Sequence, residues 1–156
     1  LKQYGIRIQT TNMFCLPGET LDDAYKTIEL NIKAKTDFCF SALFMPFPKT
    51  EITNYCIKLG FIKPDYSLKD LPDSFLTTSI LSMWDKDAIM NIHRLAYFFI
   101  KWPRLYKTFK KLVRLQFFNT IFSFIFIISN MIRYKVEMCI SLWASLGYAW
   151  RLRKSF

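Results

Sequence analysis

The stretch Phe14-Cys15-Leu16-Pro17-Gly18-Glu19-Thr20 joins a predicted strand to a predicted helix. We predict the strand over Gly5 to Leu16, and it ends at the turn-forming pair Pro17-Gly18. Thr20 and Asp23 have the spacing of a helix capping box, with Asp in place of Glu. The sequence therefore predicts a helix from residue 20 to residue 35.

The same arrangement follows a second time. Residues 38–45 are almost continuously apolar, which is typical of a strand covered on both faces. A second helix is predicted from Thr50 to Gly60, because Gly60 suits the position just after a helix end. Strand, helix and buried strand in this order favour a right-handed parallel crossover. We therefore expect residues 6–15 and 38–45 to be adjacent parallel strands.

Two strand–helix units cannot form a stable parallel sheet alone, since each strand needs neighbours. We therefore expect further strands before Leu1 and interpret the chain as the C-terminal part of a longer protein.

The positive charge is concentrated in one half of the chain, because the net charge of +10 comes entirely from the residues after Trp84. This asymmetry favours a surface for anionic partners in the second half. We predict strand–helix units over residues 1–62, a linker over 63–84 and a basic helical extension over 85–156.

The cysteines have no metal-binding or redox spacing. Cys15, Cys39, Cys56 and Cys139 form neither a CxxC pair nor a zinc pattern, so we expect buried free thiols and a reducing compartment, the cytoplasm. His93 is the one histidine and lies beside an apolar helical stripe, where packing is more common than metal binding. We therefore predict no metal ligand in this chain.

The carboxyl ends of the two strands are the candidate ligand-binding edge, as in other parallel α/β folds. These ends run from Cys15 to Thr20 and from Met45 to Thr50. Each leads into a helix N-terminus, where free N–H groups bind anions or carboxylates. The alternative is that both segments are ordinary turns followed by helix caps.

Both segments also resemble one protein family. Asn12 to Thr20 (NMFCLPGET) looks like the GLPGET signature near the end of radical-SAM barrels, and Met45 to Ile52 (MPFPKTEI) resembles the P-x-PGT-E-L segment one unit later. The interval between the motifs is also similar to this family, most closely to its cobalamin-binding-domain type. The resemblance covers Gly5 to Phe61.

The resemblance implies an α/β fold: the C-terminal βα units of a partial (β/α) radical-SAM barrel, followed by a mainly α-helical extension. It implies a [4Fe–4S] cluster, S-adenosylmethionine and, in the cobalamin-binding type, cobalamin. Side chains from Thr11 to Cys15 and from Ser41 to Met45 are then expected to line one concave surface. The cofactor-binding residues carried over are Thr11, Asn12, Met13, Cys15, Ser41 and Leu43.

The chain departs from the family pattern at defined positions. Cys15 stands where GLPGET begins with glycine, and Lys49 replaces the glycine of PGT. The CxxxCxxC cluster ligands are not in this sequence and are expected before Leu1. The piece alone is therefore expected to be inactive, and it identifies no catalytic residue, substrate or reaction.

The second half predicts a helix from Asp85 to Trp102, and then a basic segment, Lys101 to Arg114, that contains no acidic residue. Four apolar side chains recur at helical spacing among these basic residues: Leu105, Phe109, Leu112 and Val113. The pattern predicts one amphipathic helix that binds an anionic membrane surface. No nucleic-acid-binding module is recognisable, and we expect no nucleic-acid partner.

Leu115 to Ile132 carries no charged residue, but polar residues interrupt it. Three interpretations stay open: a helix packed against the rest of the protein, a helix lying in the membrane surface, or a transmembrane span. Two functions also stay open. One is a piece of a radical-SAM enzyme that acts on a small or lipophilic substrate. The other is a non-catalytic membrane-associated or protein-interaction module.

Overall fold

The sheet consists of two parallel strands, β1 (Gln9–Phe14) and β2 (Phe38–Leu43), with Gln9 paired to Phe38 and Phe14 paired to Leu43. The coordinates are a computed structural model that describes residues 2–137 and 142–153, so Cys139 lies outside the described residues. The protein is mixed α/β and mostly helical. The predicted parallel pairing is confirmed.

The first helix, α1 (Leu21–Lys33), begins at the predicted capping box. The Thr20 hydroxyl accepts a hydrogen bond from the Asp23 N–H at 3.2 Å, and the Thr20 N–H donates to the Asp23 carboxylate at 3.2 Å. Together the two residues satisfy donors that a helix start leaves without intrahelical partners. The helix ends at Lys33, and Lys35, two residues beyond it, has a left-handed backbone at φ +53.

The first strand is shorter than predicted. Lys2–Tyr4 forms a 3-10 helix, and pairing begins only at Gln9 because β2 begins at Phe38. The Ile8 N–H donates instead to the Asp37 carboxylate at 2.7 Å. A strand over Gly5 to Leu16 was therefore too long at both ends.

The second helix, α2 (Glu51–Lys58), is confirmed, with Thr50 as its N-cap and Gly60 at φ +73 just beyond its end. The Gly60 and Phe61 N–H groups bond back to the carbonyls of Ile57 and Cys56, which is the Schellman ending. Cys56 is buried, but three other apolar residues of this helix stripe are exposed: Ile52, Tyr55 and Leu59.

A third helix, α3 (Lys86–Lys101), runs through the centre of the molecule. Every residue from 88 to 96 is buried, because the helix contacts both strands, α1 and the segments that follow it. Three of these buried residues are polar, and each has a partner. The Asn91 amide donates to the Val113 carbonyl and accepts from Arg94, while His93 Nε2 lies 2.9 Å from the Leu76 carbonyl.

The basic segment does not form one amphipathic helix. It divides into α4 (Pro103–Phe109) and a 3-10 helix at Lys110–Arg114. The tighter 3-10 winding rotates successive side chains differently from an α-helix, so the predicted apolar face is split. Val113 is fully buried, whereas Leu105 and Phe109 are exposed.

Two helices complete the described chain: α5 (Asn119–Glu137) and α6 (Leu142–Arg153), which pack against each other. Phe122 of α5 belongs to the main core, which also contains Phe14 of β1 and Ile28 of α1. The extension and the strand–helix units therefore share one core, on both sides of the predicted linker.

The buried His93 predicts a specific pH dependence. Burial lowers the pKa of His93 from 6.5 to about 4. Because the unfolded chain takes up this proton at a higher pH, the neutral ring stabilises the fold fully above pH 6.5. That stability is lost as the pH falls from 6.5 towards 4. We expect the loss between pH 7 and 4.5 to be roughly 2–3 kcal/mol, from about 1.36 kcal/mol per pKa unit.

The measurement is the free energy of unfolding in urea at pH 7 and at pH 4.5, for the parent and for His93→Gln. Carboxylates titrate in both proteins, so their effect cancels in the difference. The variant should lose less stability on acidification than the parent. Equal losses in the two proteins would contradict this assignment.

Candidate functional site

The segment after β1 is a tight turn that brings the chain directly into α1. The Glu19 N–H donates to the Leu16 carbonyl at 2.9 Å, with Pro17 and Gly18 between them and Gly18 at φ +79. Proline followed by a residue with positive φ is the pattern of a type II turn. Cys15, just before this turn, also has a left-handed backbone, at φ +59.

The segment after β2 repeats this turn. The Thr50 N–H donates to the Phe47 carbonyl at 3.3 Å, with Pro48 and Lys49 between them and Lys49 at φ +69. Lys49 thus takes the conformation that Gly18 has in the first turn. A left-handed backbone is costly for a residue with a Cβ, so both turns require a shape that glycine adopts most easily.

The helix N-termini at this edge are each capped by a threonine of the chain itself, which satisfies one N–H group of each helix. Thr20 and Asp23 cap α1, and the Glu19 carboxylate accepts from the Leu16 N–H at 3.0 Å. Thr50 accepts from the Thr53 N–H at the start of α2. The carboxylates of Glu19, Asp22 and Asp23 also repel an anion at the start of α1.

The expected concave surface from Thr11 to Cys15 is not formed, because strand side chains alternate between two faces. Thr11 and Met13 lie on one face and are exposed, Met13 with 49% of its surface accessible. Asn12 lies on the opposite face, towards α1. Of the carried-over residues, only Thr11 and Met13 can therefore touch a ligand on the exposed face of β1.

Asn12 is polar for a structural reason. Its side-chain carbonyl accepts from the Asn31 amide at 2.8 Å, and its own amide donates to Cys39 Sγ at 3.2 Å. The Asn31 carbonyl in turn accepts from Thr10 at 2.5 Å and from Thr36 at 3.3 Å. This network joins β1, α1 and β2, and a buried network of this kind is stable only when its members are satisfied.

The other predicted cofactor residues on β2 face the helices: Leu43 is buried and Ser41 is half-buried. Leu43 is buried in the main core, and its N–H donates to the Phe75 carbonyl at 2.7 Å. The Ser41 hydroxyl faces α3 and lies 3.4 Å from the His93 carbonyl. Both residues position helix α3 against the sheet, and they do not line an open surface.

The Cys15 side chain also belongs to the core. Burial, with the nearby Glu19 charge, raises the pKa of its thiol to about 12, so the thiol stays protonated at neutral pH. A protonated buried thiol is a poor nucleophile and a poor metal ligand. Burial likewise raises the pKa of the Glu19 carboxyl, although its hydrogen bonds to the Leu16 and Cys15 backbone oppose the shift.

Two further residues at this edge were missed by sequence reasoning. Leu16 and Phe47 are large, apolar and exposed, and each lies at the first position of one of the turns. With Met13, they give the carboxyl edge of the sheet an apolar surface. Their position in the sequence could have indicated this exposure, because a side chain at the first position of a tight turn faces solvent.

The described residues contain no group of three His, Cys, Asp or Glu side chains arranged to hold a metal ion. In the same part of the chain, no single helix is long and apolar enough to cross a membrane. One bent pair of helical segments, Pro103–Arg114 and Gln116–Arg133, meets at 112° and passes this test by length and composition.

The chain is a mixed α/β protein whose small parallel sheet carries two similar turns at its carboxyl edge. Comparison with protein-family models, curated proteins and solved structures finds no match.

The left-handed backbone of Lys49 predicts that substitution by glycine stabilises the protein. Lys49→Gly should stabilise the protein by about 0.5–1 kcal/mol, because it removes about 1–2 kcal/mol of backbone strain and adds a smaller entropy cost of roughly 0.5–1 kcal/mol. Urea unfolding measures the change. Lys33→Gly, in the helical backbone of α1, is the control and should destabilise by up to about 1 kcal/mol. Destabilisation by both variants would contradict the strain at Lys49.

Proposed function

We propose that this chain is the C-terminal part of a radical-SAM barrel with a helical extension. The observation that supports the proposal most directly is backbone conformation. Cys15 and Lys49 replace the glycines of the two family motifs, and both residues keep the left-handed backbone that glycine favours, at φ +59 and +69. The turns thus have the shape that the motifs imply, although the residues differ.

The open side of the sheet supports the same proposal. Within the described residues β1 pairs only with β2, so its other edge has unpaired N–H and C=O groups. The opposite edge of β2 is partly covered, since the Leu43 N–H bonds to Phe75. A barrel would continue from β1, next to the exposed side chains of Thr11 and Met13.

In this proposal the chain supplies one apolar wall of the S-adenosylmethionine site. Met13 and Leu16 would lie against the adenine, and Thr11 would offer a hydroxyl beside it. When bound at its [4Fe–4S] cluster, S-adenosylmethionine supplies radical chemistry, acting here on a small or lipophilic substrate. Cys15, Cys39 and Cys56 are buried and do not fit as cluster ligands, so the ligands, and any cobalamin site, belong to sequence before Leu1.

Met13→Asp in the intact protein tests this wall. A carboxylate against an apolar adenine face loses hydration without gaining a partner, so the affinity for S-adenosylmethionine should fall at least about tenfold, or 1.4 kcal/mol. Equilibrium dialysis of the reconstituted protein measures it. Gln9→Asp is the control, because Gln9 is exposed on the same face at the far end of β1.

Equal affinity for S-adenosylmethionine in the parent and in Met13→Asp would show that β1 does not line the binding site. A preceding sequence that lacks a CxxxCxxC motif would overturn the whole enzyme proposal.

A second candidate function is attachment to an anionic membrane, and a specific observation favours it. From Lys101 to Val136 the sequence contains eight basic residues and no acidic residue. Lys101, Arg104, Lys107 and Lys111 are exposed. A cluster of exposed cations binds an anionic bilayer with about 1 kcal/mol for each residue near the surface. The protein would then be cytoplasmic and peripheral to the membrane.

Charge reversal tests the second candidate. Lys107→Glu combined with Lys111→Glu should lower binding to vesicles of phosphatidylcholine and phosphatidylserine at low salt by at least about tenfold, since two cations are lost and two anions are added. The difference should shrink at high salt, where charges are screened. Lys33→Glu with Lys58→Glu, on α1 and α2, is the control pair. Similar losses in both pairs would indicate that only net charge matters.

A further inference from the structure

Helix α5 exposes an apolar stripe along its outer face. Phe124 and Ile128 lie at its centre, with 56% and 51% of their surfaces accessible. The stripe as a whole consists of Ile121, Phe124, Ile128 and Ile132. The spacings of three and four residues place these side chains on one side of a helix, and we call this set the α5 stripe.

The inner face of α5 carries both apolar and polar side chains. Phe122 and Phe126 are buried there, but so are Ser129 and Asn130, which have 3% and 4% of their surfaces accessible. The Ser129 hydroxyl and the Asn130 amide both donate to the Phe126 carbonyl, at 2.7 and 2.9 Å. The helix thus buries an amide and a hydroxyl beside two phenylalanines, and it also presents phenylalanine and isoleucine outwards. The outer face of a helix in water is mainly polar, whereas a helix that lies in a membrane surface presents apolar side chains to the lipid.

The neighbouring helix α6 adds a second exposed apolar row. Trp143, Leu146 and Trp150 are spaced by three and four residues, and Trp143 has 83% of its surface accessible. Tryptophan favours the boundary between lipid headgroups and acyl chains, because its ring is apolar and its N–H is polar.

We propose that the α5 stripe is the surface that enters an anionic bilayer, with α5 lying flat in the headgroup region. This inference rests on the second candidate function above and specifies which side chains enter the lipid. Charge favours lipid over another protein as the occupant. In the sequence the stripe lies between Lys111 on one side and Lys135 on the other, and no acidic residue occurs between Lys101 and Val136. Arg114 lies 3.8 Å from the Asp85 carboxylate, so the lysines carry most of the free positive charge.

This assignment changes which apolar residues bind the membrane. The sequence indicated Leu105, Phe109, Leu112 and Val113, but Val113 is fully buried and Leu112 packs on the core. Leu112 and Val113 cannot enter lipid without unfolding the segment, whereas Leu105 and Phe109 are exposed. The cations of the basic segment would therefore attract the membrane, and the α5 stripe would insert.

The test is vesicle co-sedimentation of the full chain with Phe124→Gln and Ile128→Gln combined. Glutamine keeps a good helix propensity, and both positions are exposed, so the fold should be retained, as circular dichroism would show. Leu30→Gln with Ile52→Gln is the matched control, since both are exposed helix residues away from α5. Neutral phosphatidylcholine vesicles and vesicles containing phosphatidylserine are compared at low and high salt.

We expect the α5 pair to lower binding at least about tenfold at both salt concentrations, because burial of apolar surface is not screened by ions. The control pair should bind like the parent. If the Lys107 and Lys111 reversal weakens binding but the α5 pair does not, attachment by charge stands and this inference is overturned. If the parent chain does not bind anionic vesicles at low salt, both proposals fail. A dimeric parent that becomes monomeric in the α5 pair, by size-exclusion chromatography, would assign the stripe to self-association.

Discussion

The burial of helix α3 over residues 88–96 is the constraint on which the rest of this structure depends. Two strands cannot cover their own apolar faces, and α3 covers the sheet on one side while α1, α4 and α5 surround it. Burial obliges its polar side chains to find partners from several segments. The Asn91 side-chain amide donates hydrogen bonds to the Val113 carbonyl and to Asn119, and His93 Nε2 is hydrogen-bonded to the Leu76 carbonyl. These bonds join α3 to the rest of the extension and to the linker. The Tyr25 hydroxyl, which donates to the Lys110 carbonyl, and the Tyr106 hydroxyl, which donates to the Glu29 carboxylate, connect the extension to the strand–helix units.

The carboxyl edge of the sheet is organised by two turns of the same design. Each has proline followed by a residue with positive φ, and each leads into a helix capped by threonine. The caps and the Glu19 side chain satisfy the N–H groups of Asp23, Thr53 and Leu16. What remains at this edge is apolar surface from Met13, Leu16 and Phe47. Such an edge suits a flat, weakly polar group better than a phosphate, which agrees with the proposed adenine contact.

The buried polar groups of α3 also influence which side chains of α5 are exposed. Because α3 offers polar groups as well as apolar ones, the inner face of α5 places Asn119 against Asn91. Its phenylalanine and isoleucine side chains are divided between the core and the outside. The exposed half follows the most basic part of the chain, and the proposed anionic lipid surface would complement both its apolar side chains and the nearby charge.

By itself, the sequence determined the local structure correctly: the two parallel strands, the Thr20 capping box, the end of α2 at Gly60 and the helix over 86–101. These features depend on neighbours within a few residues, which a sequence displays directly. Only the tertiary structure decided which way each side chain faces. Asn12 looked like a ligand contact but bonds to Asn31, nineteen residues away, and Val113 looked like a membrane contact but is buried. Strand alternation and the change to 3-10 winding set these directions, and both depend on where a neighbouring segment packs.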